Sequence, residues 1–219
     1  MTKDQFRVFS LHSLKTQSMG FFSKLFGSEK NDFTPSADLM PEDKFWQLIA
    51  ASRNESGGDS EGQESALKAL LQELPLNDLI TFKNRYRQLR GQAYTWPLWG
   101  AVYIINGGCS DDGFCYFRDW LIAQGQEVYT NTLADPEWLA DFEFREEETD
   151  LDGDIISSKA IFAEEMAYVA DSVFQKRTGQ DIPAEFAENN EITGQEWKEE
   201  GDDLAHMFPK LWKECNGCE

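Results

Sequence analysis

The sequence predicts an all-α fold, a single compact helical domain with a helix-corner-helix centre and an acidic C-terminal half, and three observations lead to it. Apolar residues recur at spacings of three and four through most of the chain between residues 41 and 176. No run of alternating β-branched residues flanked by hairpin signals appears anywhere, which leaves a sheet without support. Of the 219 residues 41% are hydrophobic and 13% aromatic, enough apolar side chain for one sizeable core.

The elements follow in order. Residues 28–40, SEKNDFTPSADLM, read as a linker. Pro41 with Glu42 and Asp43 then supplies a proline and two carboxylates to the first turn of a helix whose apolar face is Phe45, Leu48 and Ile49. RNESGGDSEG breaks the chain, and QESALKALLQEL restores helical spacing through Leu67, Leu70, Leu71 and Leu74 until Pro75 stops it. Leu79, Phe82, Tyr86 and Leu89 mark a third helix that should end near Gly91, a residue suited to the left-handed C-terminal conformation, and these three helices are expected to pack together. The fourth starts at Pro97, carries Leu98, Ala101, Val102 and Ile105 on one side, and ends at Gly107 and Gly108.

The next stretch, GGCSDDGFCYFRDWLIAQG, reads as a corner followed by a fifth helix. The glycines permit positive φ, Ser110 caps by accepting a backbone N–H, and Asp111 and Asp112 sit where the helix dipole favours negative charge. Phe114, Phe117 and Leu121 share one face and Gly125 lies past the end. Beyond it come a short helix at EVYTNTL, another opened by Asp135 and Pro136, an acidic loop, and a long helix from about Ser158 to Lys176 with Ile161, Met166, Val169, Val173 and Phe174 inward. GDDLAHMFPKLWKEC adds a last helical segment that Pro209 kinks or interrupts.

The corner also admits a chemical reading. A helix N-terminus lowers thiol pKa values, so Cys109, Asp112 and Arg118 are candidates for a polar pocket in an enzyme of unknown reaction. Neither His12 nor His206 is near in sequence to act as a base, and the adjacent aspartates point about 100 degrees apart on a helix, so no acid-base pair is ready-made. Alternatively Arg118 pairs with Asp111, Asp112 or a more distant acid and serves as an internal tie.

At these residues the chain resembles a known family. PEDKFWQLIA, YTWPLWGAVYIINGGCSDDGFCYFRDWLIAQGQEVYTNTLADPEWLAD and AEEMAYVADSVFQKRTGQDIP are similar to the bacterial domain-of-unknown-function family 4240, from about Pro41 to Pro183. The resemblance implies no mechanism, so no residue inherits a catalytic label from it. It divides the chain into an extension and linker at 1–40, a family-like helical domain at 41–183 and an acidic segment at 184–219 expected to pack on that domain. The extension and the acidic segment depart from the compact form of the family.

Charge narrows the partners. Forty acidic residues against twenty basic ones give a formal charge of -20, which opposes binding to nucleic acid through its phosphates and attracts a basic protein. The imbalance is concentrated: residues 127–219 hold 25 acidic and 7 basic residues, whereas residues 1–126 hold 15 and 13. No stretch of about 18 apolar residues predicts a membrane span, and residues 1–18 lack the apolar run of a secretory signal, so a cytoplasmic location is expected. MGFFSKLFGSEK reads like a natural chain start, with Met19 rather than Met1 as the initiator. Its Phe21, Phe22, Leu25 and Phe26 are too few to anchor in a membrane.

Two further constellations have the spacing of metal or redox sites without the full set of ligands. From Glu148, the loop EETDLDGDIISSK sets Glu148, Asp150, Asp152, Gly153 and Ile155 in the register of an EF-hand, but Lys159 stands where the bidentate glutamate is needed. Among the cysteines, Cys109, Cys115, Cys215 and Cys218, the terminal CNGC has redox or zinc spacing with no second pair or histidine cluster, so no metal and no cofactor is expected. Phosphate-loop, dinucleotide and nucleophile-elbow motifs do not occur.

These features favour a non-enzymatic protein-binding protein, and more narrowly an immunity protein that neutralises a secreted bacterial toxin of the nuclease or ADP-ribosyltransferase class. The binding residues expected are the loop carboxylates Glu146, Glu147, Glu148, Asp150, Asp152 and Asp154, with Asp111 and Asp112 as a second patch.

Overall fold

The computed structural model describes residues 33–57, 60–144, 161–199 and 202–216. Among them the regular structure is helical: α1 (Glu42–Ser56), α2 (Ser60–Gln72), α3 (Leu76–Gln92), α4 (Trp96–Asn106), α5 (Asp111–Ala123), α6 (Gln126–Ala134), α7 (Val169–Thr178), α8 (Asp203–Met207) and α9 (Pro209–Asn216). Two 3-10 turns, Pro136–Asp141 and Glu164–Tyr168, complete the set, and extended chain appears only as isolated bridges. The all-α expectation holds.

Local signals place most boundaries. Thr95 caps α4 by accepting from the Leu98 N–H, with Pro97 in the first turn, and Gly107 closes the helix at φ 64°. Ser110 caps α5 by accepting from Gly113 N–H at 3.2 Å, with Asp111 and Asp112 in its first turn. Asp135 does the same for the first 3-10 turn by accepting from Glu137 N–H. Phe208 separates α8 from α9, which starts at Pro209.

Four expectations need correction. α1 runs through Arg53 to Ser56 and α2 starts already at Ser60, so the break is shorter than its ten polar and small residues suggest. Gly91 lies within α3, not at a left-handed cap, and the helix ends at Ala93 in right-handed geometry. A Cβ on Gly91 would lie 3.0 Å from the Asn189 backbone nitrogen, so the glycine serves close approach. The long helix shrinks to α7, preceded by a 3-10 turn, while Ile161, Met166, Val169, Val173 and Phe174 are all buried as expected. The helix opened by Asp135 and Pro136 is a 3-10 turn.

Residues 33–40 of the predicted linker are docked. Phe33 meets Phe174 edge-on at 5.0 Å, Met40 N–H donates to Thr81 O, and the buried Asn84 amide donates to Ser36 O and Asp38 O. Asn84 also accepts from Phe186 N–H, so one side chain of α3 ties down both chain segments that flank the helical core.

α5 occupies the centre, touching α1, α3, α4, α6 and the second 3-10 turn. From Phe117 to Ala123 it is buried on every face. That half of the helix has no solvated stripe, so a charged residue inside it must find partners within the protein.

The C-terminal residues pack against this core. Residues 182–199 form an extended strap over α3 and α4: Glu185 N–H donates to Ser36 O, Arg87 donates to Ala184 O at 2.6 Å, Trp96 N–H to Thr193 O, and Trp197 Nε1 to Trp96 O. α8 and α9 then pack on α4, where Gly100 gives room for Leu204 and Phe208. No helix among the described residues is long and apolar enough to cross a membrane.

Candidate functional site

The corner and its helix place the candidate residues in three different surroundings. Asp111 and Asp112 are exposed at the N-terminus of α5. Cys109 packs at the base of the corner, its carbonyl accepting from Trp99 Nε1 at 3.0 Å and its thiol donating to Ser110 O at 3.5 Å. Burial pushes the Cys109 thiol up to about 11, a direction opposite to that of an activated nucleophile. Arg118 lies two turns further on, 5% exposed, inside the core.

Arg118 proves to be the internal tie, and its acid is a distant one. Its guanidinium donates to Arg90 O at 3.0 Å, approaches Cys115 Sγ at 3.2 Å, and pairs with Glu188 of the strap at 3.5 Å. It stacks 4.6 Å from the Tyr94 ring centroid and 5.3 Å from that of Phe114. Arg90 completes the cluster, with Nε 2.9 Å from Asp119 Oδ1 and Nη1 3.4 Å from Glu188 Oε2. The Arg90 Nε–H is not aligned for a hydrogen bond, so that contact is an ion pair by distance. Tyr86 donates its hydroxyl to Asp119 Oδ1 at 3.0 Å.

Burial pushes the Asp119 carboxyl up to about 7, against the pull of Arg90, the Tyr86 hydroxyl and Arg118 and with a further push from Glu188. Burial likewise holds the Tyr86 hydroxyl well above its ordinary value. Asp119, Arg90 and Glu188 were not singled out from sequence. The signal was available: Arg118 and Asp119 sit between Phe117 and Trp120 in a run apolar all round the helix, which marks buried charges that need partners.

The exposed side of α5 is acidic. Tyr116, on the same face as Asp112, has its hydroxyl held above its ordinary value by desolvation, by its hydrogen bond to Glu164 and by the charges of Glu164 and Asp112. Glu164 and Glu165 are themselves exposed. The loop carboxylates Glu146, Glu147, Glu148, Asp150, Asp152 and Asp154 lie outside the described residues, as do the rest of the calcium-like loop, Cys218 and residues 1–32.

The flanks of that loop are described, and both rest on α5. On the entering side Phe142 and Phe144 pack on Trp120, at 5.7 Å and 6.0 Å between ring centroids. On the returning side Ala163 N–H donates to Tyr116 O at 3.2 Å. Chain entry and exit are therefore anchored to the helix that presents Asp111 and Asp112.

Other chemistry is sparse. A groove of about 400 Å³ opens beside α7, lined among others by Arg87, Tyr168, Asp171 and Asp181. Arg87 is engaged by the strap carbonyls and Asp171 by Lys83 at 2.6 Å. Among the described residues no group of three or more histidine, cysteine, aspartate or glutamate side chains is placed to hold a metal ion.

Comparison with curated proteins and with solved structures returns no match. Residues 40–176 match the model of a protein family of unknown function, DUF4240, and cover α1 to most of α7, including the corner and the buried Arg90, Arg118 and Asp119. Glu188 and the strap lie beyond the matched residues. With more than half of its length accounted for in this way, the chain belongs to the DUF4240 family.

Proposed function

We propose that the protein is a non-enzymatic, acidic protein-binding protein, and more narrowly an immunity protein that neutralises a secreted bacterial toxin domain of the nuclease or ADP-ribosyltransferase class. The observation that supports it best is the placement of acid on α5. The helix presents Asp111 and Asp112 at its exposed end, Glu164 against Tyr116, and carries both anchors of the segment 145–160, whose sequence holds six carboxylates. A surface of one sign accelerates capture of a basic partner and disfavours wrong ones. The enzyme reading draws less support: Cys109 is held as a thiol and Arg118 is engaged by internal partners.

The test is affinity capture with the tagged protein from its own cells at low and moderate salt, with partners identified by mass spectrometry. Binding kinetics of the captured partner follow. The association rate should fall by about tenfold or more between 20 and 500 mM salt, as the Debye length shrinks from ~20 Å to ~4 Å. The double variant Asp111→Lys/Asp112→Lys should lose association rate while its circular dichroism is unchanged. A salt-independent association rate, or no stoichiometric partner at either salt, would refute the proposal.

A further inference from the structure

The cluster around Asp119 joins three parts of the chain: α3 through Tyr86 and Arg90, α5 through Arg118 and Asp119, and the strap through Glu188. Arg90 is shared, lying 2.9 Å from Asp119 and 3.4 Å from Glu188, so the two carboxylates, one buried and one partly exposed, compete for one guanidinium and repel each other. Other strap contacts include Arg87 to Ala184 O, Phe186 N–H to Asn84, Thr193 N–H to Tyr94 O, Trp197 to Trp96 O, and the Tyr103 hydroxyl to the Glu199 carboxylate at the strap's far end. Glu188 is the strap's one carboxylate in this buried cluster.

We infer that the cluster is a proton-sensitive latch, holding the strap of residues 182–199 to the helical core more firmly when Asp119 carries its proton. With Asp119 neutral, both guanidiniums are left to Glu188. With Asp119 ionised, Arg90 is divided and Glu188 meets a like charge.

The sign follows from linkage. In the closed state burial pushes the Asp119 carboxyl up to about 7, with Tyr86, Arg90, Arg118 and Glu188 as the groups that face it. Lifting the strap removes Glu188 and its push on Asp119, so the carboxyl moves down toward its ordinary range while it stays buried among the helices. A group that binds its proton more tightly in the closed state favours closure fully below the lower value, and that advantage disappears as pH rises through the higher one. Strap opening therefore increases a few-fold as pH rises toward 7 and levels off above it. Acid tightens the latch.

Hydrogen exchange of the intact chain between pH 5 and 8, read as protection factors corrected for intrinsic exchange, tests this. Strap peptides containing Glu185, Phe186 and Thr193 should lose about threefold in protection between pH 5 and 8, while α1 and α2 peptides hold steady. Asp119→Asn should remove the dependence. Should that variant fail to fold, Glu188→Gln serves: its strap should exchange faster at low pH and lose the pH dependence. Strap protection that is independent of pH, that moves in step with α1 and α2, or that is unchanged in Glu188→Gln would overturn the latch.

Discussion

Replacing Arg118 by methionine isolates what the buried guanidinium contributes, because methionine keeps an unbranched apolar stem of similar reach. The variant loses a charge-assisted hydrogen bond to Arg90 O at 3.0 Å, about 1.5–3 kcal/mol. It also loses stacking on Tyr94 and Phe114, about 0.5–2 kcal/mol. Removing one partner of a buried pair costs about 3–5 kcal/mol when the other charge is stranded. Glu188 is not stranded, since Arg90 remains 3.4 Å away and its side chain is 17% exposed. Against these losses, methionine no longer buries a guanidinium whose Nε has no hydrogen-bond partner. The balance is a destabilisation of about 2–3 kcal/mol, which for a chain of this size lowers Tm by roughly 4–12 °C. Urea unfolding followed by near- and far-ultraviolet circular dichroism measures it, and the Glu188→Gln cycle should show non-additivity above about 0.5 kcal/mol. A midpoint unchanged, or raised, would refute the tie and leave Arg118 for another role.

Two more outcomes follow from the same geometry. At pH 8 the Cys109 thiol, pushed up to about 11, should be alkylated roughly a hundredfold more slowly than an ordinary cysteine, as read by mass mapping of the modified peptide; reaction at the ordinary rate would revive the pocket. Gly100→Ala puts a Cβ 2.9 Å from Leu204 Cδ2, 3.0 Å from Trp197 Nε1 and 3.1 Å from Phe208 Cε2. Its stability should fall by about 1–2 kcal/mol despite alanine's better helix propensity, with a change in tryptophan fluorescence; a stabilised variant would show that the C-terminal helices do not pack this tightly on α4.

Much of the helix pattern was determined by sequence alone, because its causes are local. Spacing of apolar residues, Ser110 and Asp135 as caps, the prolines of the first turns and Gly107 at φ 64° act over a few residues, and the helices formed where those signals stood. The acidity of the second half and the exposure of Asp111 and Asp112 were equally legible. Tertiary structure decided what depends on distant partners. Gly91 looked like a cap until Asn189, 98 positions away in the chain, was found against it. Arg118 had nearby acids to choose from, yet its carboxylate partner is Glu188. The neighbours of Asp119 in sequence mark it as buried, but the push on its carboxyl to about 7 comes from burial at the centre of the fold and from Glu188 on the strap, against the pull of Arg90 on α3. Sequence spacing encodes which face of a helix is apolar; which charges are enclosed together is settled only when the elements pack, since desolvation and pairing act through space.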